Sequence, residues 1–187
     1  MIEEIIAFVN ESFEHSIFKR TAGHCKDTMD WLLYFNPHAD EAMQIAAYAH
    51  DISRAFRTTT TEENNRDRDF DDLTYLQEHQ TECARIMSEF LIAHHYDVHD
   101  TGRVVSMILH HEIGGDPESD LIKDVDSMSY FSRAVHWHIK NTAPILGKAK
   151  VQRKLDWMYQ RITSEEIKKA AYPLYMAACK ELDVLKC

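Results

Sequence analysis

Apolar residues recur every three or four positions along most of this chain, and little interrupts them. Strand-like alternation of Val, Ile and Thr is absent, and helix breakers are scarce, with four Pro and five Gly among 187 residues. A stripe with a period near 3.6 is satisfied by a helix that buries one face. The pattern therefore specifies an all-α, single-domain helical bundle over residues 1–187, joined by short connections. A chain of this length buries roughly 70% of its unfolded surface, enough for one core.

The expected elements follow from periodicity and capping chemistry. Ile2, Ile5, Ile6, Val9 and Phe13 define a first helix over 2–14, and Thr21 is placed to cap a second that stops at Asn36-Pro37. Asp40 opens a third, expected to run to about Arg57, after which the polar tract 58–72 reads as a loop. Leu76, His79, Cys83, Ile86, Met87 and Phe90 share one face of a helix from about Asp72 to Ala93. Asp100 is the expected cap of the next helix, which ends at Gly114-Gly115, and Asp116-Pro117 starts another. Two more are expected at about 146–161 and 164–183, the last opened by the capping box Thr163-Ser164-Glu165-Glu166.

The formal charge of −10 argues against a nucleic-acid polymer or an anionic membrane as partner. A phosphorylated small molecule stays compatible with it if metal and a few local cations reverse the field at one site. The cysteines, Cys25, Cys83, Cys179 and Cys187, have no CxxC spacing and read as reduced thiols. The first residues lack a basic region and a long apolar core, and no apolar run approaches ~20 residues, so a cytoplasmic location is expected.

Against that background the run Ala46-Ala47-Tyr48-Ala49-His50-Asp51-Ile52-Ser53 stands out. An imidazole and a carboxylate inside an apolar run are costly to bury unless something pairs them, and a divalent metal suits both. The rest of the chain supplies more such groups on other expected helices: His24, His79, His110 or His111, and Asp126. Bundle proteins build metal centres by pointing such residues inward from several helices. Asp124 also flanks the apolar face of its helix, and Arg54 follows the pair closely. Lys148, Lys150, Arg153 and Lys154 form the one dense basic cluster, readable as a solvated helix face or as a phosphate-binding rim.

The order H…HD…H…H…D resembles the HD-domain superfamily of metal-dependent phosphohydrolases, over residues 20–130. His24 in Gly23-His24-Cys25-Lys26, His50-Asp51, and Asp126 in Asp124-Val125-Asp126-Ser127-Met128 carry the core of the likeness. His79 and His110-His111-Glu112 resemble the subset that holds two metals. The resemblance implies one ion on His24, His50, Asp51 and Asp126, and a second bridged by Asp51 to His79 and to His110 or His111. It implies a catalytic role for Asp51 and hydrolysis of a phosphorylated compound, with nucleotides among the candidates. The ions implied are Mn, Fe, Co, Ni, Mg or Zn. The Gly-Tyr-Pro signature is missing after His110-His111-Glu112, which speaks against the cyclic-dinucleotide branch. The helices of about 140–187 lie outside the likeness and are expected to pack on it. Two other readings fit the same residues: a di-iron oxygenase on this fold, and a non-catalytic ligand-binding or scaffold protein.

Overall fold

In the computed structural model, which describes residues 1–60, 63 and 69–185, every regular element is helical. The first two helices are α1 (Ile2–Glu14) and α2 (Thr21–Phe35). Next comes α3 (Glu41–Ala49), which passes into a 3-10 turn at Ile52–Phe56. The chain continues through α4 (Leu73–Ala93), α5 (Val98–His110) and α6 (Pro117–Ser129). A π-helical turn at Tyr130–Ala134 joins α6 to α7 (Val135–Leu146), followed by α8 (Lys148–Gln160) and α9 (Glu165–Val184). No helix among the described residues is long and apolar enough to cross a membrane.

The centre is α3. Ala42, Met43, Ile45, Ala46, Ala47, Tyr48 and Ala49 are all buried, as expected of a helix enclosed on every side. Its small residues let α1, α2, α5 and α6 pack against it closely. Helix α4 lies along α5, and α7, α8 and α9 form a second group joined to the first through α6. Side chains such as Leu32, Ile45 and Ile108 lose essentially all contact with solvent, each contributing about 1.5–3 kcal/mol.

Several boundaries differ from the sequence expectation. Thr21 is the first residue of α2 rather than its cap; Arg20 occupies the cap position without a side-chain bond. Asp97, not Asp100, caps α5 by accepting the Asp100 amide at 3.0 Å, so the helix starts earlier. Helix α3 ends at Ala49 instead of about Arg57, because the His50 ring donates through Nδ1 to the Ala47 carbonyl at 2.9 Å. That bond satisfies an acceptor at the helix end and lets the backbone tighten into the 3-10 turn. Helix α7 was not expected: its polar, His-rich composition and internal Pro144 hide the apolar stripe of Val135, Ile139 and Ala143. The expected loop at 58–72 lies in part outside the described residues. Asp40 and Asp116 cap their helices as expected, Asp72 caps α4 at the expected start, and the cap of α9 is Ser164, one residue into the expected box, rather than Thr163.

Candidate metal centre

The break after α3 places His50 and Asp51 at the heart of the bundle, and four other elements bring partners to them. His24, near the start of α2, donates through Nδ1 to Ser129 Oγ at 2.7 Å, and that hydroxyl donates back to the His24 carbonyl at 3.1 Å. His111 follows α5 and donates through Nδ1 to the Ile108 carbonyl at 2.7 Å, as His50 does to Ala47. With Nδ1 held by a fixed acceptor, Nε2 of each ring is the nitrogen turned toward the centre, and it can take an ion once it gives up any proton it shares with a carboxylate. Nε2 of His50 and of His111 is buried with no hydrogen-bond partner among the described residues, an expensive condition for a polar atom.

Two trios result, His24–His50–Asp126 and Asp51–His79–His111, each with donor atoms within 4.8 Å of one another. Asp126 Oδ1 lies 2.8 Å from His24 Nε2 and 3.5 Å from His50 Nε2. Asp51 faces both trios: Oδ1 is 2.8 Å from His79 Nε2, while Oδ2 is 4.0 Å from His50 Nε2. The His50 and His111 rings meet edge to face with centroids 5.2 Å apart. His79 Nδ1 contacts Ser53 Oγ at 2.9 Å and Arg57 Nη2 at 3.0 Å. Since a guanidinium only donates, Nδ1 accepts here and Nε2–H donates to Asp51; ligation through Nε2 needs the other tautomer, whose Nδ1–H Ser53 can accept.

Electrostatics keeps the carboxylates ionised. Burial opposes charge on Asp51, but Arg54, His79 and His50 outweigh it and hold the group well below the usual range. Burial opposes charge on Asp126 as well, where Arg161 and the two histidines prevail. Burial also pushes His79 down to about 4, with Arg54 adding to the effect, and it lowers His111. His50 moves the other way, to about 9, because Asp126 and Asp51 overcome its desolvation. Four imidazoles and two carboxylates form a mixed nitrogen and oxygen set, which suits first-row divalent ions better than calcium.

The structure separates the sequence candidates. His111 is fully buried in the second trio, whereas His110 is exposed and bonds Ser106 O at 2.8 Å, outside the centre. Asp126 joins the first trio. Asp124, equally buried, instead accepts the amides of Thr163 and Ser164 at 3.0 and 2.7 Å, tying α6 to the start of α9. Arg54 lies at the site, 2.7 Å from Asp51. The other expected phosphate contacts do not: Lys148 donates to the Asp183 carbonyl, and Lys150 and Arg153 pair with Asp69. None of those three lines the cavity over the trios.

Sequence reasoning missed Arg161. It bonds Asp126 Oδ2 and Glu112 Oε2 and donates to Ser127 Oγ at 2.8 Å. Its burial is unfavourable, but those two carboxylates hold its charge in place. Glu112 is buried beside it and lowered to about 2 against its own desolvation, chiefly by Arg161. The adjacent His-His-Glu was a signal for Glu112, but nothing in spacing announced Arg161, which arrives from the far end of α8. Gly114 makes the turn after His111 possible: its φ is +81°, and a Cβ there would sit 1.9 Å from Asp120 Oδ1.

Above the trios opens a cavity of about 820 Å³, within the range of small-molecule sites. His24, Asp51 and Asp126 form part of its lining, with the cations Arg54, Lys154 and Arg161 around them. Phe18, Tyr130, Trp137 and Met158 give the remaining wall an apolar and aromatic character. Neither the curated proteins nor the solved structures include a match to this chain. A family model does match, over residues 10–182. With nearly its whole length covered, the protein belongs to the family described as "Domain of unknown function (DUF4202)".

Proposed function

We propose that this protein is a metal-dependent phosphohydrolase of the HD-domain kind, acting on a small phosphorylated compound with two divalent ions. The observation that carries the reading is Asp51, whose two oxygens face two histidine-containing trios at the floor of a cation-lined cavity. His24, His50 and Asp126 would hold one ion, His79 and His111 the other, and Asp51 would bridge them. Divalent ions supply Lewis acidity toward phosphoryl oxygens and bring the pKa of water at such a site close to neutrality.

The protein's own groups do the positioning. Arg161 occupies Asp126 Oδ2, which leaves Oδ1 for the centre. Nδ1–H bonds from His24, His50 and His111 fix their rings. Arg54, beside Asp51 and on the cavity wall, offsets charge on an entering phosphate. The low-dielectric walls strengthen each of these interactions.

The test is elemental analysis of the purified protein together with phosphate release from a panel of phosphorylated small molecules. About two ions per chain are expected, falling toward one in His79→Ala. Phosphate release is expected to fall by more than about a hundredfold in Asp51→Ala, because losing a ligand costs more than losing an outer partner of one. Undiminished release in Asp51→Ala refutes the reading, and iron accompanied by oxygen uptake replaces it with oxygenase chemistry.

A further inference from the structure

Lys154, on α8, lines the cavity and has unusual company. Its Nζ lies 4.3 Å from the centroid of the Trp157 ring, 5.6 Å from Phe70 and 5.9 Å from Tyr130. It makes no hydrogen bond or ion pair among the described residues, although the chain carries a formal charge of −10. The nearby carboxylates are committed elsewhere: Glu112 and Asp126 to Arg161, and Asp69 to Lys150 and Arg153. Ring faces compensate an ammonium in part, but on this half-buried side chain they do not replace the hydrogen bonds given up to the water they displace. Burial accordingly pulls this amine down to about 8.

A half-buried ammonium without a counter-ion among the described residues, facing a cavity, is placed to receive an anion. We propose that Lys154 is the specificity-determining anion contact of this cavity, binding the oxygens of a phosphoryl group presented to the histidine–aspartate floor. The choice of a phosphoryl group among oxyanions rests on the phosphohydrolase reading above; the anion contact itself rests on the geometry of Lys154. The ring cage points the charge inward and limits its rotamers, so less freedom is lost when an anion arrives. The position lies on α8, outside the stretch that supplies the candidate ligands, and so sets which anion is held without touching the metal donors.

The experiment is calorimetric titration of the full chain with inorganic phosphate, before and after loading with manganese. It compares the parent with Lys154→Met, which keeps the stem against the three rings, and with Lys154→Arg, which keeps the charge. The expected result is a phosphate Kd raised at least roughly tenfold in Lys154→Met, as for loss of a hydrogen bond to a charged group. Lys154→Arg is expected to stay within about threefold of the parent, with melting temperature and metal content unchanged in both. In turnover, Lys154→Met is expected to raise KM more than it lowers kcat. Equal phosphate affinity in parent and Lys154→Met overturns the proposal. So does parallel loss of binding and of thermal stability in both variants, which marks a packing residue. If no metal loads but phosphate affinity follows Lys154, the hydrolase reading falls and the anion contact stands. If metal loads and turnover proceeds with KM indifferent to Lys154, only the anion contact falls.

Discussion

His110 and His111 are chemically identical neighbours in opposite surroundings, and their contrast gives a direct test of the centre. His111 is sealed in the second trio with an unpartnered Nε2, while His110 points to solvent from the end of α5. His111→Ala is expected to lower bound metal from about two ions per chain toward one, and His110→Ala to leave it unchanged, both read by elemental analysis. Equal loss in both variants would count against the second trio. The sequence narrowed this choice to two residues and stopped there, because both lie at the end of one apolar stripe and differ only in which way the terminal turn bends. His50, Asp51, His79 and Asp126 were legible because each abuts an apolar run, where a polar group needs a partner, whereas His24, in a first turn between Gly23 and Cys25, was legible only through the order H…HD…H…H…D. Arg161 was not, since its partners Asp126 and Glu112 lie 35 and 49 positions away in sequence. No local pattern encodes such a meeting.

At the scale of single helices, capping chemistry was easy to read where a carboxylate stands just before an apolar stripe, as at Asp40 and Asp116. It misled where two acids compete, as Asp97 and Asp100 do, because either can accept a first-turn amide and only packing of Thr101 and Val104 selects the register. Asp116 offers a clean measurement. The Ser119 hydroxyl and the amides of Ser119 and Glu118 bond its carboxylate and lower it from an unfolded-state value of 3.8. Its contribution is therefore complete above that value and fades as pH falls through the lower folded-state value. Asp116→Ala is expected to cost about 1 kcal/mol near neutral pH in chemical denaturation, with the deficit shrinking in acid. Asp116→Asn keeps the cap and loses this part of the acid dependence. A deficit that stayed constant down to pH 2 would place the effect in packing. The π-helical turn before α7 left no trace in the sequence, since its widened ring depends on where α6 and α7 dock.

For the molecule as a whole, the all-α class was legible from period and breaker count alone, while the docking of α7, α8 and α9 was not, because their faces meet across long separations. The centre draws on α2, the end of α3, α4, the end of α5 and α6, so occupancy is coupled to the entire bundle. At a free metal concentration about a thousand times Kd, binding stabilises by about 4 kcal/mol. For a chain of this size that corresponds to a melting temperature roughly 10 °C higher, lost on treatment with a chelator. A melting curve indifferent to chelator and to added manganese would remove the metal from the folded state altogether. The contact between His24 and Ser129 spans 105 positions of chain, and ligands on either side of it would make an ion the reversible counterpart of a long-range disulfide. The native lifetime would then be governed by how fast the ion leaves. Loaded protein mixed into denaturant is expected to unfold at the metal's off-rate, and metal-free protein at the faster rate that helix packing alone permits.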